Sequence, residues 1–437
     1  MSKRQLCIGL SLSATWMKGA GWRRPDSGVE QLYSSELYVR LAQRAEQAKL
    51  DFVFKPDALL LRAAALDHSP GFGGLDPTLL MTAIARETSR IGLVTTMSTM
   101  FYPPYIAARQ LQSLHWLSNG RAGWNMVTAL DGADNFSATP LPASEARYAQ
   151  AEEFAEVVGK LWSSFPHEAL LLDRSKGKFA DSSLITAIEH SGEHFSVKGP
   201  LNVPAHAAGA PPLFQAGASE RGRSFAAATA DAVFAAAPDR AAGTELRADL
   251  RRRARQLGRD PDAVRVLPGM HFILGRTRSE AQELYQEAHA HLGAELRYAA
   301  LHSLLGLDIR GWPLDQRITG ELLAASQQPA PPVRSQTHAD LLHRYIHTEQ
   351  PTVQELLNRP EVTASGHWMV VGTVEDAARE IGLWHEAGAL DGLIALPGGS
   401  LQSLDLLLDE LIPMLAEQGL FRHEYAGTTL RAHLGMA

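Results

Sequence analysis

Short apolar runs alternate with amphipathic runs along almost the whole chain, and that alternation leaves few folds open. Strand-length apolar runs stand at 6–13, 51–55, 91–98, 122–128, 212–216, 231–235, 264–274, 369–371 and 392–396. Helix-like stretches lie between or after them, at 34–49, 77–88, 105–117, 145–163, from 219 onward, and at 244–257, 279–292, 374–387 and 401–417. Asp76 followed by Pro77 is an N-cap with a proline in the first turn, a helix-start signal. Repeated strand–helix units build a parallel sheet whose strands are buried on both faces. About eight units predict an α/β protein with a closed (β/α)8 TIM barrel rather than an open doubly wound sheet. Two segments break the rhythm: 164–211, with many Gly, Ser, Asp and Pro, and 293–368, with Pro329, Pro331 and Pro332. Long loops in a compact domain are usually binding loops. Both are therefore expected as insertions over the C-terminal face of one domain spanning 1–437.

Composition narrows the class of function. With 437 residues, 45% hydrophobic and 20% charged, the chain is an ordinary globular one. A net charge of −7 argues against a general nucleic-acid binder. No apolar run is long enough to span a bilayer, and no signal-peptide core precedes the first strand. Cys7 is the single cysteine, which rules out an intrachain disulfide and fits a cytoplasmic protein. It reads as a small buried apolar residue.

Two strings carry most of the chemical signal. The first is Leu117 to Thr128, a helix end, a Ser-Asn-Gly turn and a strand with Asn125 and Thr128 near its C-terminal end. Ligands of parallel β/α proteins sit at those ends. The second is Gly217-Ala218-Ser219, which follows a strand and opens a helix. Its backbone N–H groups and the helix dipole suit a phosphate, although a plain Ser N-cap explains the same residues. Arg221 stands where a hydrolase elbow needs its second glycine, and no G-x-G-x-x-G follows the first strand. Gly398-Gly399 reads as a tight turn. His343 and His347 have ligand spacing without a neighbouring glutamate. The Asp131 loop meets Pro142 where a calcium loop needs Glu. No bound metal is expected. Arg251, Arg252, Arg253 and Arg255 read as a solvated helix face. Trp16, Trp22, Phe54, Phe101, Trp124 and Phe136, near strand ends or loops, suit a planar ligand but serve equally as core.

Several strings together resemble the nitrilotriacetate monooxygenase component A family. It includes dibenzothiophene-sulfone monooxygenases and belongs to the bacterial-luciferase-like flavin monooxygenases. The matching residues are Phe52-Val-Phe-Lys-Pro-Asp57, Arg90 to Thr99, Ser118 to Thr128, Arg147-Tyr148, His190 to Phe195, Gln215 to Ser219 and Val371-Gly-Thr373. The resemblance implies a barrel that takes reduced FMN from a separate NAD(P)H:flavin reductase. With O2 it oxygenates a small organic substrate, by C–S or C–N cleavage or by hydroxylation. Carried over residue by residue, Asp57, Thr96, Ser98 and Asn125 line the flavin ring. Thr96 and Ser98 share one side of their strand by period-two parity, while Trp124 has the opposite parity to Asn125 and packs outward. Ser144, Tyr148, Ala218 and Ser219 hold the phosphate.

Two departures stand out. Ser144 occupies a place where members often carry His, and Trp22-Arg23 lacks the His that often precedes it. His302 is the candidate substrate-side acid or base. Specificity is expected in the loops around 14–25, 56–75 and 293–368. The alternatives are a deazaflavin-dependent oxidoreductase of the same superfamily and a non-catalytic flavin-binding barrel. Relatives pack as homodimers or homotetramers, which is the expectation here too.

Overall fold

Nine parallel strands form one sheet, and eight of them close on themselves. The structure is a computed structural model and describes residues 5–63, 66–67, 69–71, 73–129, 131–136, 141–217, 219–289, 293–326, 336–363 and 366–436. The strands are β1 (Cys7–Ser11), β2 (Phe52–Lys55), β3 (Gly92–Ser98), β4 (Ala122–Val127), β5 (Leu213–Gln215), β6 (Ala232–Ala235), β7 (Arg265–Leu274), β8 (Trp368–Gly372) and β9 (Gly392–Pro397). β1 to β6 pair in chain order, β6 pairs with β7, β7 with β9, and β9 with β1. That is the expected closed barrel. β8 stands outside the ring. β7 is ten residues long, and β6 reaches only as far as its Pro268. β8 takes up the remaining backbone, Met270 to Leu274.

The helices between strands are α1 (Ser35–Gln47), α2 (Pro77–Glu87), α3 (Pro104–Leu117), α4 (Ser144–Ser163), α5 (Glu220–Thr229), α6 (Arg240–Gln256), α7 (Arg278–His289) and α8 (Val374–Glu386). Their starts follow local chemistry. Asp76 accepts from the Leu79 N–H ahead of Pro77, Asp239 accepts from Ala242, and Thr373 and Asp376 form a capping box.

Alternate residues of the ring strands face inward and fill its lower half. Cys7, Phe52, Phe54, Val94, Phe214, Ala232, Leu267 and Ile394 form one buried cluster, with Phe234 packed against it. Glycines make the room: a Cβ on Gly9 would lie 2.2 Å from the Phe52 ring. The floor is closed by a short helix, Leu430–His433, whose Leu430 belongs to the same cluster. A Cβ on Gly92 or Gly123 would come within 2.5 or 2.7 Å of the Leu430 methyls.

The string 118–128 is largely structural. Asn119 and Gly120 turn the chain at positive φ, 54° and 83°, where Asn and Gly are tolerated. Arg121 is buried and gathers the carbonyls at the end of α2. Its guanidinium donates to Ala85 O, Thr88 O, Ile91 O and Ser118 O at 2.8–2.9 Å, and to Thr88 Oγ1 at 2.9 Å. These include carbonyls that a helix end leaves unpaired. Trp124 points outward onto Phe154 and Trp162 of α4, with ring centroids 5.8 and 6.2 Å away.

The first insertion does not lie over the C-terminal face. Residues 164–211 follow a helix and precede a strand, so they leave from the N-terminal end of the barrel. They run along the outside of α3 and α4. Gln112 and Trp116 donate to Pro204 O, and Glu153 binds His190 and the N–H groups of His194 and Phe195. The second insertion reaches the other end. Arg344 and Arg359 approach Asp239, the cap of α6, at 3.7 and 3.5 Å. Its apolar residues form their own cluster around Leu301, Ile318, Leu342 and Leu356.

Leu430→Ala is expected to cost about 2–5 kcal/mol of unfolding free energy, and Gly123→Ala about 1–3 kcal/mol through overpacking. Denaturant unfolding of the double variant should show less than the sum, because the leucine removed is the one the new Cβ strikes.

Candidate active site

The C-terminal ends of β2, β3 and β4 are tied together by two side chains. Thr96 donates to Lys55 O at 2.8 Å and accepts from Asn125 Nδ2 at 3.0 Å. Thr96 and Asn125 are register partners and share the inward face. Both are buried. The clamp fixes the Asn125 amide with its Oδ1 buried and without a hydrogen-bond partner. Ser98, one inward position further, accepts from the Met100 N–H at 3.1 Å. Asp57 follows β2, half-buried, and accepts from the Ala58 N–H at 2.9 Å. Burial pushes its pKa up and Asp76 adds to this, while the Ala58 N–H and Lys55 oppose it.

A second group lies at the start of α5. Tyr148 is buried on α4 against Phe225, with centroids 5.7 Å apart. Its hydroxyl would be 2.8 Å from a Cβ on Gly217 and 2.7 Å from one on Gly222, so any side chain at either position would force a shift. Ser219 caps α5, its Oγ accepting from the Gly222 N–H at 3.2 Å. Gln215 is buried beside the turn and its Oε1 has no hydrogen-bond partner. Ser144 sits one helical turn before Tyr148, exposed at the start of α4. Ala218 lies outside the described residues. Arg221 is not a free cation here, because Glu152 holds it at 2.7 and 2.8 Å and Glu145 at 2.9 Å. The hydrogen bonds it donates to Glu152 are the largest cause of its raised pKa. This turn presents hydroxyls and backbone N–H groups.

The structure thus brings Asp57, Thr96, Ser98 and Asn125 to one set of strand ends, and Tyr148 and Ser219 to one turn. It does not gather His302 with either. That residue sits on the helix Ala294–Leu305 in the second insertion, in electrostatic contact with Asp308. Among the described residues no hydrogen bond or ring contact joins it to the strand ends.

Sequence reasoning missed a third group, on the opposite side of the mouth. His271 faces inward near the end of β7, paired in register with Leu396. The signal was present: Leu267, Gly269 and His271 share one strand face by parity. His367, just before β8, stacks on Phe234 with centroids 4.8 Å apart and lies 6.2 Å from His271. Burial holds both rings far below the usual histidine pKa, His367 at about 3. Lys18 adds to the depression of each. These rings are neutral at physiological pH.

Comparison with known proteins decides the family. The family model for luciferase-like monooxygenase matches residues 23–391. The chain belongs to the luciferase-like monooxygenase family. The N-acetyl-S-(2-succino)cysteine monooxygenase of Bacillus subtilis (strain 168) is 34% identical over 99% of this chain and 97% of its own. Nitrilotriacetate monooxygenase component A of Aminobacter aminovorans is 34% identical over 100% of this chain and 97% of its own. Among solved structures, a riboflavin lyase crystallised with modified FMN and its substrate riboflavin superposes with a TM-score of 0.83. It is 29% identical and the match covers 99% of this chain and 96% of that one.

In this luciferase-like monooxygenase, Thr96→Val removes the acceptor of a buried amide while keeping the shape. The expected outcome is a loss of about 1–3 kcal/mol in denaturant-unfolding free energy. Ser98→Ala, whose hydroxyl among the described residues accepts from the local Met100 N–H alone, should cost less.

Proposed function

We propose that the chain is the oxygenase of a two-component system. A separate NAD(P)H:flavin reductase delivers reduced FMN, and a small organic substrate is oxygenated with O2 at a C–S or C–N bond or by hydroxylation. When bound, the reduced flavin supplies the electrons that activate O2. The observation that carries this reading is the cradle around Tyr148. The hydroxyl of the buried Tyr148, a Ser N-cap and two glycines at which a Cβ would crowd that hydroxyl lie together at the start of a ten-residue helix. Such a turn suits a phosphate.

The other end of the cofactor fits as well. Asn125 presents an unpartnered buried carbonyl oxygen, the acceptor that a flavin ring N–H requires. Thr96 orients that amide by accepting from its Nδ2. Ser98 and Asp57 complete the ring side, and Ser144 and Ala218 belong with Tyr148 and Ser219 on the phosphate side. The aromatic floor below, with Phe52, Phe54 and Phe214, excludes water beneath the site. No step is assigned to His302.

The relatives support the same reading. One is named component A, which implies a partner protein, and the riboflavin lyase crystal holds a modified FMN on this fold. We read 1–437 as one domain, since β9 returns to β1 and the Leu430 helix seals the same barrel. A cytoplasmic homodimer or homotetramer completes the proposal. Among the described residues, no helix is long and apolar enough to cross a membrane.

The test is oxygen consumption with FMN, NADH and a flavin reductase, over a panel of thioethers, sulfones and aminocarboxylates. Substrate-dependent uptake with an oxygenated product is expected. Uptake that no compound alters, together with no FMN binding by equilibrium dialysis, would sink the reading. Tyr148→Phe should weaken FMN binding by about tenfold or more, the value of a hydrogen bond to a charged group. Unchanged affinity in that variant would remove Tyr148 from the phosphate site.

A further inference from the structure

The backbone after β5 is shaped around an amide. Gln215 is the last residue of that strand, in register with Met126 of β4 and Val233 of β6. It is 3% exposed. Its amide lies over the turn that leads to the Ser219 cap. A Cβ on Gly217 would stand 2.4 Å from Gln215 Nε2 and 2.8 Å from the Tyr148 hydroxyl. A Cβ on Gly222 would stand 2.7 Å from the same hydroxyl and 3.1 Å from Ser219 Oγ. Side chains from β5, from α4 and from the cap of α5 thus converge on backbone that glycine keeps open.

The two ends of the Gln215 amide need opposite partners. Nε2 carries two N–H donors, and Oε1 is an acceptor. Oε1 is buried and has no hydrogen-bond partner among the described residues. An unpaired buried carbonyl oxygen is destabilising, and a leucine of similar size would avoid that penalty. The amide is explained by a donor that the folded chain does not itself supply. A phosphate is not that donor. With a second pKa of about 6 it is chiefly a dianion at pH 7 and accepts hydrogen bonds, which suits Nε2. The donor for Oε1 is an O–H or N–H that arrives beside the phosphate. In FMN the phosphate is esterified to the ribityl chain, whose hydroxyls are such donors.

We propose that Gln215 is a cofactor-binding residue that reads the junction of phosphate and ribityl chain, its Nε2 donating to the phosphate and its Oε1 accepting from a ribityl hydroxyl. The inference rests on reading this turn as the FMN site. It adds a neutral side chain that a bare anion satisfies at one end only. The cradle then distinguishes a phosphorylated sugar alcohol from inorganic phosphate, which hydroxyls and backbone N–H groups alone do not do.

The experiment measures the affinities of oxidised FMN, riboflavin and lumiflavin by flavin fluorescence, with the full chain and two variants. The three ligands share the ring. They carry phosphate and ribityl chain, ribityl chain alone, and neither. Gln215→Glu keeps the shape and the acceptor but loses the donor and sets a carboxylate against the phosphate. It should weaken FMN at least tenfold and leave riboflavin within about twofold of wild type. Gln215→Leu loses both ends. It should weaken FMN at least tenfold and riboflavin about three- to tenfold, with lumiflavin unchanged. The unloaded Gln215→Leu protein should melt no lower than wild type, because the oxygen it loses was unpaired.

Unchanged FMN affinity in either variant would overturn the proposal, and is the result expected if a bound water is the only partner of Oε1. Equal losses for FMN and riboflavin in Gln215→Glu would overturn it too. So would a lower melting temperature of unloaded Gln215→Leu, which would make the residue structural. Failure of the wild type to bind FMN would sink the flavin reading, whereas wild-type binding that ignores both substitutions would sink this inference alone.

Discussion

The filling of the lower half of the barrel governs the rest of the molecule. Phe52, Phe54, Phe214 and Phe234 crowd the interior, and Leu430 enters from below. Glycines at 9, 92 and 123 stand where any side chain would collide with them. An interior packed this way has no space for a ligand at its base. Polar inward positions can occur only above that layer, at the C-terminal ends, and that is where Thr96, Ser98, Asn125 and His271 lie. The placement of the candidate site is thus a consequence of volume. The hydrogen bonds among its members then set orientation, as the Thr96 clamp does for Asn125.

Much of this was legible because parallel strands speak through parity. The inward set Thr96, Ser98 and Asn125 and the outward Trp124 follow from counting by two, and strand–helix repetition specifies a closed ring. What stayed hidden depended on contacts between distant segments. The string around Gly120 looks like a functional signature, yet Arg121 serves the end of α2 and Gly123 serves Leu430. Neither role is visible without the neighbour, 33 residues before Arg121 in the case of Thr88. Loop length alone does not say at which end of the barrel the first insertion lies. Its place in the chain order, after a helix and before a strand, carries the information. Lys18, His271 and His367 come from three separate segments, and each alone reads as a satisfied core residue or a loop cation.

The mouth has two chemically distinct ends. On the α5 side, Tyr148, Ser219 and backbone N–H groups offer hydrogen bonds, and Arg221 is held by Glu145 and Glu152. On the β1–β7 side stand an ammonium and neutral rings. Between them the Asn125 oxygen faces the centre.

Ring closure also sets a timetable for synthesis. Cys7 in β1 pairs with Gly392 in β9, so the first strand to leave the ribosome waits for almost the last. At ordinary translation rates that interval is about 20–80 s. Throughout it, β1 has one unpaired edge and the barrel has no floor, since Leu430 emerges later still. Exposed strand edges invite pairing with other chains. Nascent copies on one message are therefore exposed to one another through this edge, and the yield of folded protein should depend on chaperone capacity more steeply than the stability of the finished barrel suggests.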